Sequence, residues 1–270
     1  MQSFLESAVE IAREAGTLLA GYFERRVRFE LKGECDLVTE ADRASEKLVV
    51  DRLRSRYPSH SILAEEGSGL EQRSEYRWYV DPLDGTTNFA HAYPMFNVTL
   101  ALERGGQVIA GVIFDPVHGE MFSAERGGGA FLNNRRIHVS EAARVEDSLV
   151  ATGFPSRKRH LNVNVHFYHQ MGMISHGVRR GGSAALDLAY VACGRLDAFW
   201  EFGLNAWDMA AGILLVQEAG GLSSDMKGGP ADLHGQHLLT DNGRVHQQIL
   251  EVFAEVFAGK YRIPLPVIQP

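Results

Sequence analysis

The chain has 270 residues, 45% hydrophobic and 23% charged, which fits a globular protein with a substantial core and excludes a disordered or fibrous one. A formal net charge of −7 argues against nucleic acid or an anionic membrane as a bulk partner. It leaves an anionic small molecule open, because bound divalent cations reverse the field of an acidic pocket.

Two cysteines, Cys35 and Cys193, are too few for a disulfide framework, and reduced thiols in the cytoplasm are the plain reading. The N-terminus carries Glu6 and Glu10 on an amphipathic pattern and lacks the basic and apolar regions of a secretory signal. The longest uncharged stretches, 85–102 and 161–178, are laced with Asn, Thr, Gln and His and do not read as membrane spans. A soluble, cytoplasmic protein is expected.

Ser3 followed by Glu6 forms a capping-box pattern, and Phe4, Ala8, Ile11, Ala12, Ala15, Leu19 and Phe23 recur at helical spacing, predicting a helix over 4–24. Val27–Leu31 alternates as a short strand. After a polar loop at 32–36, Thr39 is placed to cap a second helix ending before Tyr57-Pro58. Asp42 then falls in the first turn, where a carboxylate favours the helix dipole whether or not it has another role. Ser61–Ala64 is a short strand running into Glu65-Glu66-Gly67, and the polar stretch 68–75 reads as a mobile loop.

Trp78-Tyr79-Val80 begins a strand that leads into Asp81-Pro82-Leu83-Asp84-Gly85-Thr86-Thr87-Asn88-Phe89. Two carboxylates three residues apart, with Pro82 fixing φ between them and Asp84-Gly85 permitting a sharp turn, suit a hard cation at the mouth of a strand. Thr86–Phe89 starts a helix for which Asp84 is the expected N-cap, and its free backbone N–H groups suit phosphate. The bland alternative is a capped turn with two solvated Asp.

Phe96, Val98, Leu100 and Leu102 alternate along the next strand. Gln107–Phe114 is apolar on both faces, with Val108, Ala110 and Val112 opposing Ile109 and Ile113, as in a sheet lying between two other layers. A meander runs through Gly127–Ala130 and Asn133-Asn134 to about residue 139.

The chain turns polar at 140–146, which predicts a boundary between an α+β half, 1–143, with an antiparallel sheet and an α/β half, 144–270. In the second half strands are expected at 148–152, 196–200, 221–225 and 237–239, and helices at 160–175, 183–193, 206–219 and 243–257. The tail Ile263-Pro264-Leu265-Pro266 is expected to lie extended on a surface.

Gly181-Gly182-Ser183 opens one of those helices with a Ser cap. In Glu201-Phe202-Gly203-Leu204-Asn205-Ala206-Trp207-Asp208, Asn205 caps the following helix and Asp208 sits three residues into it. Glu201, beside an apolar strand and amid aromatics, needs a partner, a metal or a substrate hydroxyl. The eleven histidines show no zinc spacing, and His166 and His169 read as an ordinary helix face.

Together these stretches resemble the inositol monophosphatase family, within the wider lithium-sensitive, magnesium-dependent phosphatase superfamily. Asp81–Phe89 is similar to the family's first motif, and Trp207-Asp208 with Ala210-Ala211-Gly212 and Glu218-Ala219-Gly220-Gly221 is similar to its second. Ala64–Gly67, Asp36–Asp42 and Gly182–Ala185 fall in the expected order, and the match runs from the first helix to about residue 257. Ala151-Thr152-Gly153-Phe154-Pro155 looks more like bacterial and archaeal members than animal ones. The loop at 68–75 is short, and Thr240-Asp241-Asn242 departs from the family's small-residue ending.

The resemblance implies a layered αβαβα sandwich of the inositol monophosphatase and fructose-1,6-bisphosphatase type. By position it makes Glu65, Asp81, the carbonyl of Leu83, Asp84 and Asp208 ligands of two or three Mg²⁺ ions. Thr86, with Glu65 and Asp42, would orient the attacking water, and the backbone N–H groups of Gly85 and Thr86 would hold phosphate oxygens. Gly182, Ser183, Ala184 and Glu201 would line the side that takes the alcohol, and Lys32 lies near the family's loop lysine. A homodimer inhibited by lithium is implied by the same resemblance.

Charge counting agrees independently: Glu65, Asp81, Asp84 and Asp208 total four negative charges, which two dications neutralise. The expected activity is hydrolysis of a phosphate monoester, inositol 1-phosphate foremost. Fructose 1,6-bisphosphate, a nucleotide 3′-phosphate and histidinol phosphate are the other esters in view. Arg157-Lys158-Arg159 and Arg179-Arg180 suit either a second phosphate or a solvated basic loop offsetting an acidic protein, and Glu201 favours the polyol monoester. A non-catalytic phosphate- or metal-binding regulator is the competing class, against which the unbroken carboxylate set argues.

Overall fold

The computed structural model describes residues 3–25, 29–33, 36–154 and 162–267, with backbone alone at 29, 31–33 and 36–37. Helix α1 (Phe4–Arg25) begins as its sequence predicts: Glu6 N–H donates to Ser3 Oγ at 3.1 Å and Ser3 N–H to Glu6 Oε2 at 2.8 Å. Strands β1 (Phe29–Gly33) and β2 (Asp36–Thr39) pair as a small antiparallel ribbon leading into α2 (Glu40–Arg56). Thr39 caps α2 in a reciprocal capping box with Asp42.

Seven strands then form one sheet in the order β3 (Ser61–Ala64), β4 (Tyr76–Asp84), β5 (Asn97–Arg104), β6 (Gln107–Asp115), β7 (Glu120–Glu125), β8 (Gly129–Leu132) and β9 (Arg135–Arg136). Only β3 and β4 pair in parallel. The five-residue helix α3 (Thr86–Ala90) follows β4. The second sheet runs in the order β11 (Gly177–Arg179), β10 (Leu149–Thr152), β12 (Ala198–Phe202), β14 (His237–Asp241), β13 (Leu222–Ser224). Here β10 pairs in parallel with both neighbours, whereas β14 runs antiparallel to β12 and β13. The remaining helices are α4 (Asn164–Ile174), α5 (Ala184–Ala192), α6 (Ala206–Glu218) and α7 (His246–Phe257).

Strand alternation distributes side chains among three cores. Trp78 and Val80 of β4 join Ile11, Leu19, Val49 and Leu53 of α1 and α2 beneath the large sheet. Tyr79 points the other way, into a middle core that takes Leu188 and Leu214 from α5 and α6 and Phe199 from β12. On β12, Ala198 and Trp200 face the outer core with Phe167 of α4 and Phe253 of α7. The layers are therefore helix, sheet, helix, sheet, helix, as expected.

Helix α6 lies close to both neighbours because glycines leave room. A Cβ on Gly111 of β6 would come 2.9 Å from Ala211 Cα, and one on Gly212 would come 2.5 Å from Leu188. This packing fixes the start of α6, and hence Asp208, relative to the large sheet.

Several expectations need correction. Val108 does not share a face with Ala110 and Val112: the β5–β6 register shifts between Leu102 and Glu103, so Ile109 is the extra residue and Val108 joins the middle core with Ile113. Strand β12 runs to Phe202, so Glu201 lies within it rather than after it. Strand β11 is not among the expected elements, because three residues give too short a pattern to read. The loop at 68–75 is tied down: Leu70 bridges to Ile62, and Gln72 Nε2–H donates to the carbonyls of Pro58 and His60. The tail meets its expectation, having no regular secondary structure at 264–267 and lying on the surface, and the Gln170 amide of α4 both donates to and accepts from the Ile263 backbone.

Candidate active site

The end of β4 carries a bulge that aims its carboxylates. Asp81 pairs with Thr99 and Asp84 with Asn97, so three steps on β4 oppose two on β5. Pro82, which has no N–H to lose, sits within the bulge; Ser45 Oγ–H of α2 donates to its carbonyl at 2.8 Å. Asp81 Oδ1 accepts from Leu83 N–H at 3.0 Å.

Asp84 does not cap α3. The N-cap is Gly85, with φ +91° and no side-chain bond, and a Cβ there would come 2.8 Å from Met95 O. Asp84 Oδ2 instead accepts from Asn97 Nδ2, Ser183 Oγ and Ala185 N at 2.9, 2.6 and 2.9 Å. The carboxylate at the end of β4 thus anchors the start of α5, joining the two halves of the chain. Nearby, the Asn88 side chain of α3 donates to Gly181 O at 3.0 Å and Gly182 O at 3.3 Å.

Asp208 is the first-turn carboxylate its position predicts, and it also faces the cleft. Its Oδ2 accepts from Asn205 N–H at 2.7 Å in a capping box, and it lines the same cleft as Asp84. Glu65 leaves β3 beside β4, its N–H donating to Val80 O at 3.2 Å. The following turn is held by Glu46 of α2, which accepts from Glu66 N–H at 2.7 Å and Ser68 N–H at 2.8 Å.

Thr86 and Asp42 are coupled. Thr86 Oγ lies 2.9 Å from Asp42 Oδ1 and 3.1 Å from Leu83 O. Asp42 is fully buried, is not among the cleft-lining residues, and also accepts from Thr39 N–H and Oγ–H. Among the described contacts, its link to the cleft is the Thr86 hydroxyl.

The cleft has a volume of about 700 Å³ and brings together Glu65, Asp81, Leu83, Asp84, Gly85, Thr86, Gly182, Ser183, Ala184, Glu201 and Asp208. Every residue expected at the site except Asp42 lines it. The side chain of Lys32 and the segment 157–159 lie outside the described residues. Reading the sequence does not single out Asn97 or Asp187, whereas Arg180, one of the basic residues weighed for a second phosphate, does line the cleft. Asp187 has a legible signal, being the one charge in the apolar run Ala184–Ala192.

The cleft concentrates negative charge. Burial, then the carboxylates of Glu65, Asp84 and Asp208, hold Asp81 well above the ordinary carboxylate range, and a hydrogen bond with Glu65 adds to this. Burial pushes Asp208 up to about 8, with Asp84 and Glu65 adding to the rise and the Asn205 backbone bond opposing it. Burial also raises Asp84, against bonds from Ser183 and Asn97. Glu201 is raised by burial and then by Asp187 and Asp208.

This donor set fits a hard cation. Among the described residues it offers carboxylate and carbonyl oxygens and no His or Cys, and the Asp81–Glu65 hydrogen bond requires a proton where a cation would serve both oxygens. Among the described residues no three Asp, Glu, His or Cys side chains converge on one point. Hard dications need only one or two carboxylates each and complete their shells with water and phosphate.

A family model for the inositol monophosphatase family matches residues 1–258. The chain belongs to the inositol monophosphatase family. An inositol-1-monophosphatase of Mesorhizobium japonicum is 45% identical over 96% of this chain and 98% of its own length. A Pseudomonas aeruginosa protein named Nus factor SuhB is also 45% identical, over 93% of this chain and 95% of its own. The structure of an inositol monophosphatase from Anabaena superposes with a TM-score of 0.85 at 42% identity, covering 93% of this chain and 94% of that one. The protein is therefore a phosphomonoesterase of a metal-dependent family. No helix among the described residues is long and apolar enough to cross a membrane.

Raised carboxylates make the metal-free fold pH-sensitive. Asp208 binds a proton more tightly folded, with its pKa near 8, than unfolded, near 3.8. The associated stability is complete below the unfolded value and is lost as pH rises toward 8. Protein stripped of divalent cations should lose roughly 5 °C or more in Tm between pH 5 and pH 8, and saturating Mg²⁺ should flatten that slope. Equal slopes with and without Mg²⁺ in thermal scans would count against cation binding by these carboxylates.

Proposed function

We propose that this protein hydrolyses phosphate monoesters of polyols, inositol 1-phosphate foremost, with two or three Mg²⁺ ions at Glu65, Asp81, Leu83, Asp84 and Asp208. The observation that carries the reading is the unbroken set of four carboxylates in one cleft that Glu201 also lines. When bound, the ions neutralise the carboxylates and acidify a water at neutral pH.

The chain's own residues divide the remaining work. The N–H groups of Gly85 and Thr86, at the turn between β4 and α3, receive phosphate oxygens. The Thr86 hydroxyl, held by Asp42, orients the attacking water together with Glu65. Gly182, Ser183 and Ala184 form the wall above Asp84, and Glu201 accepts a hydroxyl hydrogen bond from the leaving alcohol. A cytoplasmic homodimer sensitive to lithium belongs to the same reading.

The name of the Pseudomonas relative supports a second, non-hydrolytic role as a Nus factor. The intact carboxylate set favours catalysis as the first reading.

A comparison of kcat/KM for inositol 1-phosphate and fructose 1,6-bisphosphate in wild type, Glu201→Gln and Arg157→Ala decides the substrate. Glu201→Gln should cost the inositol ester about tenfold or more, the scale of one hydrogen bond to a charged acceptor. A neutral Glu201→Gln beside an Arg157→Ala that cripples the bisphosphate reaction would replace this reading with a bisphosphatase.

A further inference from the structure

Asp187 is a second carboxylate on the wall that faces the alcohol, and nothing in the chemistry described above uses it. It is 2% exposed, yet it lines the cleft from the first turns of α5. Its side chain accepts no hydrogen bond from any described residue, and the same holds for Glu201, 8% exposed on β12. Burying a carboxylate without donors is costly, and such groups persist where a ligand supplies the missing donors.

The surroundings show that neither carboxylate is spent on the fold. Asp84, their neighbour, is saturated on Oδ2 by Asn97, Ser183 and Ala185. Gly153 and Gly181 open the space: a Cβ on Gly153 would clash with the Glu201 carboxylate, and one on Gly181 would lie 3.1 Å from Asp187 Oδ1. Arg180 is the one cation among the described lining residues, against Glu201 and Asp187 on this wall, and it forms no ion pair with a described carboxylate. The wall is rich in acceptors, which suits hydroxyl donors and opposes a second phosphate.

We propose that Asp187 is a specificity-determining residue that accepts a hydrogen bond from a second hydroxyl of the leaving alcohol, so that Asp187 and Glu201 together select monoesters of polyols with two free hydroxyls near the esterified carbon. The proposal rests on the phosphatase reading and deepens it.

The test uses the full-length protein with Mg²⁺ and two esters, inositol 1-phosphate and p-nitrophenyl phosphate, whose leaving group has no further hydroxyl. Both share the metal and phosphoryl chemistry, so the ratio of their kcat/KM values isolates the alcohol side. Asp187→Asn, nearly isosteric and relieving like-charge repulsion, should lower that ratio about tenfold, and the double variant with Glu201→Gln should lower it further than either single variant, because each carboxylate accepts from its own hydroxyl. Asp187→Ala provides a second variant should the amide itself accept the hydroxyl; a tenfold loss of ratio in either single variant supports the proposal. A ratio within about twofold of wild type in both single variants overturns it. A double variant no worse than Glu201→Gln alone also overturns it, since one hydroxyl would then serve both groups. Wild type inert toward every ester overturns the phosphatase reading itself, an outcome the ratio cannot imitate.

Discussion

Asp84→Asn and Asp208→Asn should each lower kcat/KM by about a thousandfold or more, because each removes one ligand charge from a site that must hold several dications around a phosphate. The fold should survive both changes. In Asp84→Asn the amide oxygen can occupy the Oδ2 position that receives Asn97, Ser183 and Ala185. In Asp208→Asn the oxygen that caps with Asn205 is likewise retained. Each substitution also removes a charge whose burial is unfavourable without metal, so the metal-free Tm should hold or rise while the Mg²⁺-induced rise shrinks. Activity within tenfold of wild type in either variant would remove the carboxylates from the mechanism.

Much of this site is legible in the sequence because it is built from local patterns. The strand, proline and glycine of Trp78–Gly85 place two carboxylates at a strand end, and the capping signals at Thr39 and Asn205 place Asp42 and Asp208 in first turns. What is not legible depends on contacts distant in sequence. Asp84 reads as an N-cap by spacing, but its partners come from Asn97 on β5 and Ser183 at α5, and the bulge at Pro82 turns it toward them. Asp42 reads as a first-turn carboxylate with a catalytic option, and only the Thr86 contact, 44 positions away, shows how it reaches the cleft.

The same limit explains the fold. Periodicity reveals the long helices and the alternating strands, since each residue's face follows from its own neighbours. It fails at Val108, where the bulge at Ile109 reverses the alternation without any change in residue type. It fails at β11 because a three-residue strand is defined by its pairing with β10 and not by its own pattern.

Thr86→Val should lower kcat about a hundredfold or more, the scale of losing a group that positions a proton transfer. The side chain keeps its shape and branching, so packing at the start of α3 is conserved, but the hydroxyl that joins Asp42 to the cleft is gone. KM should stay within about threefold of wild type, since the substitution leaves both backbone N–H groups of the turn in place. Thr86→Ser should restore most of the rate. The pH profile separates this from a structural effect. Asp42 is raised by burial and lowered in turn by its bonds from Thr39 and Thr86, so losing the Thr86 donor raises it further. Whatever acid limb Asp42 imposes through the Thr86 hydroxyl should be lost in Thr86→Val, which cuts that link, and return in Thr86→Ser. An unchanged acid limb with full loss of rate would assign Thr86 to holding the Leu83 carbonyl instead of the water.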